Sequence, residues 1–344
     1  MRQSFITTTP DISQFPTTGG LPLFRDCVLA GWTLIRMPGK SHRGPLPAAD
    51  AELRQLAADL RRHVTHLAEE IGERNVSRRP QELARTADDI AAEWTAAGYQ
   101  VGRQPYEVSG VTCCNLEVEI LGRVRPEEIV VVGAHYDSVP GSPAANDNAS
   151  GVAAILCLAH RLAGSALDRT LRLVAFVNEE APYAHTELMG SRVYARRCRQ
   201  QGERVTAMLS LETIGCYDDT PGSQKYPPPF GLLYPTVGNF IAFVGNTRSA
   251  DLVRRAVGAF RRNEPFPAEG AAVPEAFSNI GRSDHWSFWQ EGYPALMVTD
   301  TAPFRYPYYH TPEDTVDKLD FERLARVVRG IQKVICDLAS ADRD

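Results

Sequence analysis

No apolar run in this 344-residue sequence approaches the roughly 20 residues that a membrane-spanning helix needs. Basic blocks are missing too, and a formal net charge of −5 argues against nucleic acid as a partner. The start of the chain has no charged stretch leading into an apolar one, so no secretory signal is expected and a cytoplasmic location follows. Seven cysteines (Cys27, Cys113, Cys114, Cys157, Cys198, Cys216 and Cys336) form an odd set without CxxC spacing. No disulfide framework is therefore expected, which fits a reducing compartment. Cys157 falls inside an apolar helical run and reads as a reduced core thiol.

What the sequence does contain is a regular alternation of strand and helix patterns. Residues 1–20 are rich in Thr, Pro, Ser and Gly, and an extension over 1–45 is expected to be partly disordered. Its stretch LPLFRDCVLAGWTLIRMPGK is apolar only in places and reads as a short docking helix or a partner contact. Amphipathic helices are predicted over about 47–72 and 80–98, the second opened by Pro80 and stopped by Gly98. YQVGRQPYEV and CCNLEVEILG then alternate like a strand pair.

From EEIVVVGAHYDS onward, the apolar runs are continuous, as in strands buried on both faces. Further strands are predicted at LRLVAFVN, VTAMLSLE, NFIAFVG and PALMVTD, with helices near 149–163, 187–199, 248–262 and 320–339. The pattern predicts one α/β domain over 46–344, a mixed but largely parallel central sheet with helices on both faces. The proline-rich stretch between Cys216 and Gly238 reads as a long loop, either a pocket wall or a surface excursion.

Five short segments carry metal-type ligands: GAHYDS (His135, Asp137), ANDNASG (Asp147), FVNEEAP (Glu179, Glu180), LSLETIG (Glu212) and YYHTPEDT (His310). His135, the Glu pair and Glu212 directly follow predicted parallel strands, at the edge where open α/β sheets build ligand crevices. Mixed imidazole and carboxylate donors suit zinc, with other first-row metals as alternatives. Each element alone has an ordinary explanation, since a lone strand-end histidine or a Glu-Glu pair is usually just polar surface. Five in order at strand ends are a different matter. The adjacent pair suggests that one carboxylate binds metal while the other acts as a base. Asp137, on the same side of an extended strand as His135, is placed to orient that imidazole. His42, His63, His160 and His185 fall outside this logic and read as structural, His185 being a minor pocket candidate.

As a set, GAHYDS, NDNASG, NEE, LETIG and SDHWSF…YYHTPEDT resemble the di-zinc aminopeptidase family, which includes bacterial leucyl aminopeptidases, the glutamate carboxypeptidase II catalytic domain and, as a divergent branch, glutaminyl cyclases. The resemblance covers roughly residues 45–340. It implies two Zn2+, one held by His135, Asp147 and Glu212, the other by Asp147, Glu180 and His310, with Asp147 bridging. It further implies Glu179 as general base, Asp137 behind the first histidine, Tyr309 as a donor to the tetrahedral intermediate and Asp284 near the substrate amine. Many members carry Asp where this chain has Glu212, so that site is expected to bind its ion less tightly or to take another divalent metal.

The implied activity is release of N-terminal residues from peptides with a free N-terminus. Alternatives are a glutaminyl-cyclase-like acyltransferase and a catalytically silent binding protein of the same fold. Cyclases carry Trp before the last histidine, where this chain has Tyr309. A preference for acidic dipeptides would require a cationic pocket, for which Arg282 and Arg305 are the candidates.

Overall fold

The computed structural model describes residues 36–227, 230–277 and 280–341. The Thr/Pro-rich start and most of the LPLFRDCVLAGWTLIRMPGK segment lie outside these residues. Helix α1 (Ala51–Thr65) begins where the Asp50 carboxylate accepts the Leu53 N–H at 2.7 Å, an N-cap that satisfies a free helix donor. It buries Leu53, Leu56, Leu60 and Val64, one apolar stripe at three- and four-residue spacing, and continues as a wider turn through Ile71. Helix α2 (Pro80–Ala96) opens on proline as predicted and buries Trp94.

Strands β1 (Gly102–Val108) and β2 (Val111–Ile120) form an antiparallel pair about Ser109 and Gly110, both at positive φ. That backbone matches the twist of a two-residue hairpin. The remaining elements follow in chain order as β3 (Arg125–His135), α3 (Ser150–Leu162), β4 (Arg169–Phe176), α4 (Gly190–Gln200) and β5 (Arg204–Glu212). Then come the small pair β6 (Asp218–Pro221) and β7 (Val237–Gly238), β8 (Ile241–Asn246) and α5 (Ala250–Asn263). Last are β9 (Ala268–Val273), α6 (His285–Gln290), β10 (Ala295–Thr299) and α7 (Phe321–Leu338).

The main sheet has the order β1-β2-β4-β3-β5-β10-β8-β9. Strands β4, β3, β5 and β10 run parallel, β2 and β8 join them antiparallel, and β8 pairs parallel with β9. The sheet is mixed and largely parallel, and helices cover both faces. Alternate residues of β3 show why its run is apolar throughout. Val130 and Val132 enter the core under α1, α3, α5 and α7, while Ile129 and Val131 pack on the other side with Tyr194 of α4 and Phe288 of α6.

The small pair β6 and β7, inside the stretch read as a long loop, escaped sequence reading, as did β9 and α6. Strand β9 is AEGAAV, whose small residues carry no strand signature, and α6 is too short for helical periodicity to register. The six cysteines among the described residues have free thiols. No helix among the described residues is long and apolar enough to cross a membrane.

Two histidines remote from the strand-end segments are buried as neutral rings. Burial pushes His63 down to about 3, helped by the neighbouring Arg62 charge, and pushes His285 down to about 4. A base depressed in the folded state binds its proton more readily when unfolded, so the stability it contributes is lost as pH falls below about 6.5. The His63→Gln variant should therefore lose less stability than the parent between pH 7 and pH 5, by about 2 kcal/mol, in urea titrations at both values. Equal losses would show that His63 is not buried neutral.

Candidate active site

Three neighbouring parallel strands set the floor of the site. His135 is the last residue of β3, Glu212 the last of β5, and Glu179 and Glu180 begin three residues after β4 ends. Because β3 lies between the other two, these side chains meet at one rim. Asp147 comes from the turn 145–149 that leads into α3. That helix can approach β5 because a Cβ on Gly151 would sit 2.5 Å from the Leu211 carbonyl. His310 arrives from the long connection between β10 and α7.

All of these residues except His310 are buried. His135 Nε2 lies 3.3 Å from Asp147 Oδ1 and 3.3 Å from Glu212 Oε2. His310 Nε2 lies 2.9 Å from Asp147 Oδ2 and 3.4 Å from Glu180 Oε1. Asp147 thus turns one oxygen toward each cluster. Potential ligand atoms of His135, Asp147 and Glu212 converge within 4.8 Å of one another, as do those of Asp147, Glu180 and His310. His135 with Glu179 and Glu180 forms a third such group, and Glu179 Oε2 lies 3.9 Å from His135 Nε2.

Asp137 lies behind this rim. Its two carboxylate oxygens accept the Glu179 and Glu180 N–H groups at 3.1 Å each, while His135 Nδ1 lies 3.2 Å from the Asp137 carbonyl and 3.5 Å from Oδ1. Asp137 therefore orients the glutamate turn as much as the imidazole. Tyr309 stacks on the His310 ring at 3.8 Å between centroids. Asp284 is fully buried at the start of α6, and its carboxylate makes no hydrogen bond. Arg305 is not a pocket cation: it is buried, donating to Gln224 Oε1 and to the Cys216 and Phe240 carbonyls. Arg282 is exposed.

Sequence reading missed two supports. Asp314 accepts the Asn146 and Asp147 N–H groups at 2.8 and 3.1 Å and so fixes the Asp147 turn. It lies inside the quoted YYHTPEDT segment, where its carboxylate was the available clue. Arg74, with no exposed surface, donates to the Tyr136, Leu67, Gly72, Pro143 and Ala144 carbonyls, tying together the loops after β3. An arginine after an amphipathic helix gives no such signal. Backbone strain gathers here as well: Ala144, Asn178, Thr213 and His310 all have positive φ without being glycine. Such strain persists where the surrounding structure over-determines it, and it clusters at functional sites.

The charges fit poorly without a cation. Burial pushes Glu180 up to about 8 and raises Glu179 and Glu212, with neighbouring carboxylates adding repulsion. Burial opposes a proton on His310, yet Asp147 and Glu180 raise it to about 10. His135 Nε2, both Asp147 oxygens and Glu180 Oε1 are buried and make no hydrogen bond. Unpaired buried acceptors facing one another are costly, and a divalent cation would satisfy them together. Nitrogen and oxygen donors of this kind suit zinc.

Residues 115–335 match peptidase family M28. The chain belongs to this family. An uncharacterized protein of Escherichia coli (strain K12), YfbL, is 36% identical over 258 residues, covering 72% of this chain and 78% of that protein. Probable leucine aminopeptidase 1 of Trichophyton verrucosum (strain HKI 0517) is 29% identical over 229 residues, or 62% of this chain, and the match spans 56% of that protein.

Solved structures share the fold. An aminopeptidase from Aneurinibacillus sp. strain AM-1 aligns at TM-score 0.64 and 18% identity over 86% of this chain and 97% of that one. BSAP, a zinc aminopeptidase from Bacillus subtilis, aligns at 0.64 and 16%, over 84% and 96%. A glutaminyl cyclase of Bacteroides thetaiotaomicron aligns at 0.61 and 17%, over 85% and 99%. The fold is that of the di-zinc aminopeptidase family.

If the M28 rim binds divalent metal, adding zinc to chelator-treated protein will raise its melting temperature, by the equivalent of about 2.7 kcal/mol at a hundred times the dissociation constant. The Asp147→Asn variant should lose most of that gain. A melting temperature indifferent to zinc would count against a metal centre.

Proposed function

We propose that this chain is a metal-dependent aminopeptidase that removes N-terminal residues from peptides. The supporting observation is that the two ligand clusters share Asp147 while the Glu179 carboxylate lies beside both without belonging to either pairing. His135, Asp147 and Glu212 would hold one zinc ion, and Asp147, Glu180 and His310 the other. The ions, when bound, supply an activated water and a polarised substrate carbonyl.

The chain's own residues do the rest. Glu179 takes a proton from the attacking water and delivers it to the departing amine, as a buried carboxylate with a raised affinity for protons is suited to do. Asp137 keeps that glutamate aimed by holding its backbone N–H. Tyr309 donates its phenol to the oxyanion as the carbonyl becomes tetrahedral. Asp284, fully buried at the start of α6 and raised by burial to about 7, is assigned a role near the substrate amine. The extra methylene of Glu212 is accommodated by Ser283, whose hydroxyl donates to Oε2 at 2.8 Å, and this makes Glu212 a usable ligand.

Replacing Glu179 with Gln should lower kcat by roughly 10²–10⁴-fold while the metal content, measured by elemental analysis, stays at two per chain. Full activity in that variant would remove Glu179 from the mechanism, and one metal per chain would remove the second site. Mass spectrometry of a Gln-initiated peptide should show shortening by one residue. Loss of ammonia without shortening would favour the cyclase chemistry instead.

A further inference from the structure

Glu212 and Asp147 reach the rim from different segments, and a buried ring of hydrogen bonds joins those segments behind them. Asp300, the residue after β10, has no exposed surface. Its neighbour Thr299 pairs in register with Glu212, so Asp300 emerges beside the loop that follows β5. Its Oδ2 accepts the Asn146 side-chain amide at 2.9 Å and the Cys216 N–H at 2.8 Å, and its own N–H donates to the Thr213 carbonyl at 2.7 Å. Asn146 closes the ring by accepting the Gly215 N–H at 2.9 Å. We propose that Asp300 is a positioning residue that fixes the separation of Glu212 from Asp147 and so sets how tightly the His135, Asp147 and Glu212 cluster holds its ion. The assignment rests on the two-metal reading above and extends it to a residue outside both ligand clusters.

The links are short in sequence, so a shift in the ring reaches the ligands directly. Asn146 precedes Asp147, and Thr213 follows Glu212. Thr213 holds a φ of 48°, a left-handed backbone that a β-branched residue adopts only under constraint. Asp300 supplies part of that constraint at the Thr213 carbonyl, and Asn148 supplies the rest by accepting the Thr213 N–H at 3.2 Å. Gly215 lets the loop come close to the turn, since a Cβ there would stand 3.0 Å from Asn146 Oδ1 and 2.8 Å from the Leu319 side chain.

A buried carboxylate is a costly way to fill space. Burial disfavours the charge on Asp300, with Arg305 opposing that effect, and Oδ1 makes no hydrogen bond. An apolar side chain would avoid the cost but could not accept from two segments at once. Arg305 donates to the Cys216 carbonyl at 3.2 Å, so Cys216 is gripped through both of its backbone groups. The same guanidinium donates to Gln224, on the wall of a cavity of about 310 Å³ that opens beside Glu212 and Tyr309.

The other cluster has its own supports. Asp137 holds the Glu180 N–H, and Asp314 holds the N–H groups of Asn146 and Asp147. Tyr306, four residues before His310, donates its hydroxyl to Asp314 at 2.8 Å. Breaking the Asp300 ring should therefore loosen Glu212 while Asp147, Glu180 and His310 stay in place. Ser283 would still hold the Glu212 carboxylate, but the backbone that carries it would be free to drift. Partners that orient metal ligands from behind typically change metal affinity by about 10–100-fold when removed.

The test follows zinc binding to the full chain, by elemental analysis after equilibration in buffered zinc and by calorimetric titration of the metal-free protein. The parent should bind two ions per chain. The Asp300→Ala variant should keep one ion and bind the other about 10–100-fold more weakly. The Asp300→Asn variant, which still presents an oxygen to Asn146 and Cys216, should recover most of that loss. The Glu212→Ala variant should lose the same ion, and adding Asp300→Ala to it should change nothing further, as expected of residues that act through one site. If Asp300→Ala does not fold, Asn146→Ala cuts the same ring from its other side and carries the same expectation. Two ions held as tightly as in the parent, equal weakening of both ions, or an Asp300→Asn variant as impaired as Asp300→Ala overturns the positioning role and leaves the metal reading intact. A parent chain that takes up no zinc overturns the metal reading and the proposal with it.

Discussion

Crowding of negative charge at one sheet edge is the constraint that organises this molecule. Asp137, Asp147, Glu179, Glu180, Glu212 and Asp314 are all buried, and the fold gathers them at that edge. Backbone amides can satisfy some of them. Asp137 takes the N–H groups of the glutamate turn, and Asp314 takes those of the Asp147 turn. What remains is Asp147, Glu179, Glu180 and Glu212, with oxygens turned inward toward two imidazoles. The carboxylates held by amides shape the loops, and those left over offer the donors that fit a metal ion. Arg74 completes the balance from behind, a buried cation whose guanidinium donates to five carbonyls and whose charge acts on Asp137, Asp314 and Asp147.

Topology makes the crowding achievable. In register, Gly133 of β3 faces Val174 of β4 on one side and Ser210 of β5 on the other, so the ends of three strands reach the rim together. Parallel strands require crossover helices, and α3 and α4 supply them while burying opposite faces of the sheet. A rim carried by central strands is stiff, and metal ligands need their donors held in place. The positive φ at Asn178 and Thr213, each beside a ligand-type residue, shows where local preference gave way to that requirement.

Much of this was legible in the sequence because its signals were physical and local. VVVGAH could only be a strand buried on both sides, and its histidine had to emerge at the carboxyl end. The NDNASG turn announced a helix start, and Pro80 and Gly98 framed α2 as read. Other features depended on contacts that no local pattern encodes. AEGAAV became strand β9 because β8 was available to pair with it, against the weak preference of alanine and glycine for strands. Arg305 was a candidate only for a cationic pocket that an acidic substrate would need, and packing turns it against Gln224 and two carbonyls. The service of Asp314 to the Asp147 turn spans 167 residues of sequence.

The division between rigid rim and loop-built cavity bears on how one fold serves different chemistries. Solved structures share the fold at 16–18% identity, and they include both aminopeptidases and a glutaminyl cyclase. Fold alone therefore does not select a substrate. In this chain the candidate ligand residues come from strand ends and tight turns, whereas the cavity wall comes from the stretch after β5 and the turn after β9. Loops of that kind tolerate change without disturbing the core. Tyr309 stands at the junction, lining the cavity while stacked on His310. A substitution in the wall can therefore reshape the cavity and leave the strand-end rim untouched. Moving Tyr309 would disturb both at once.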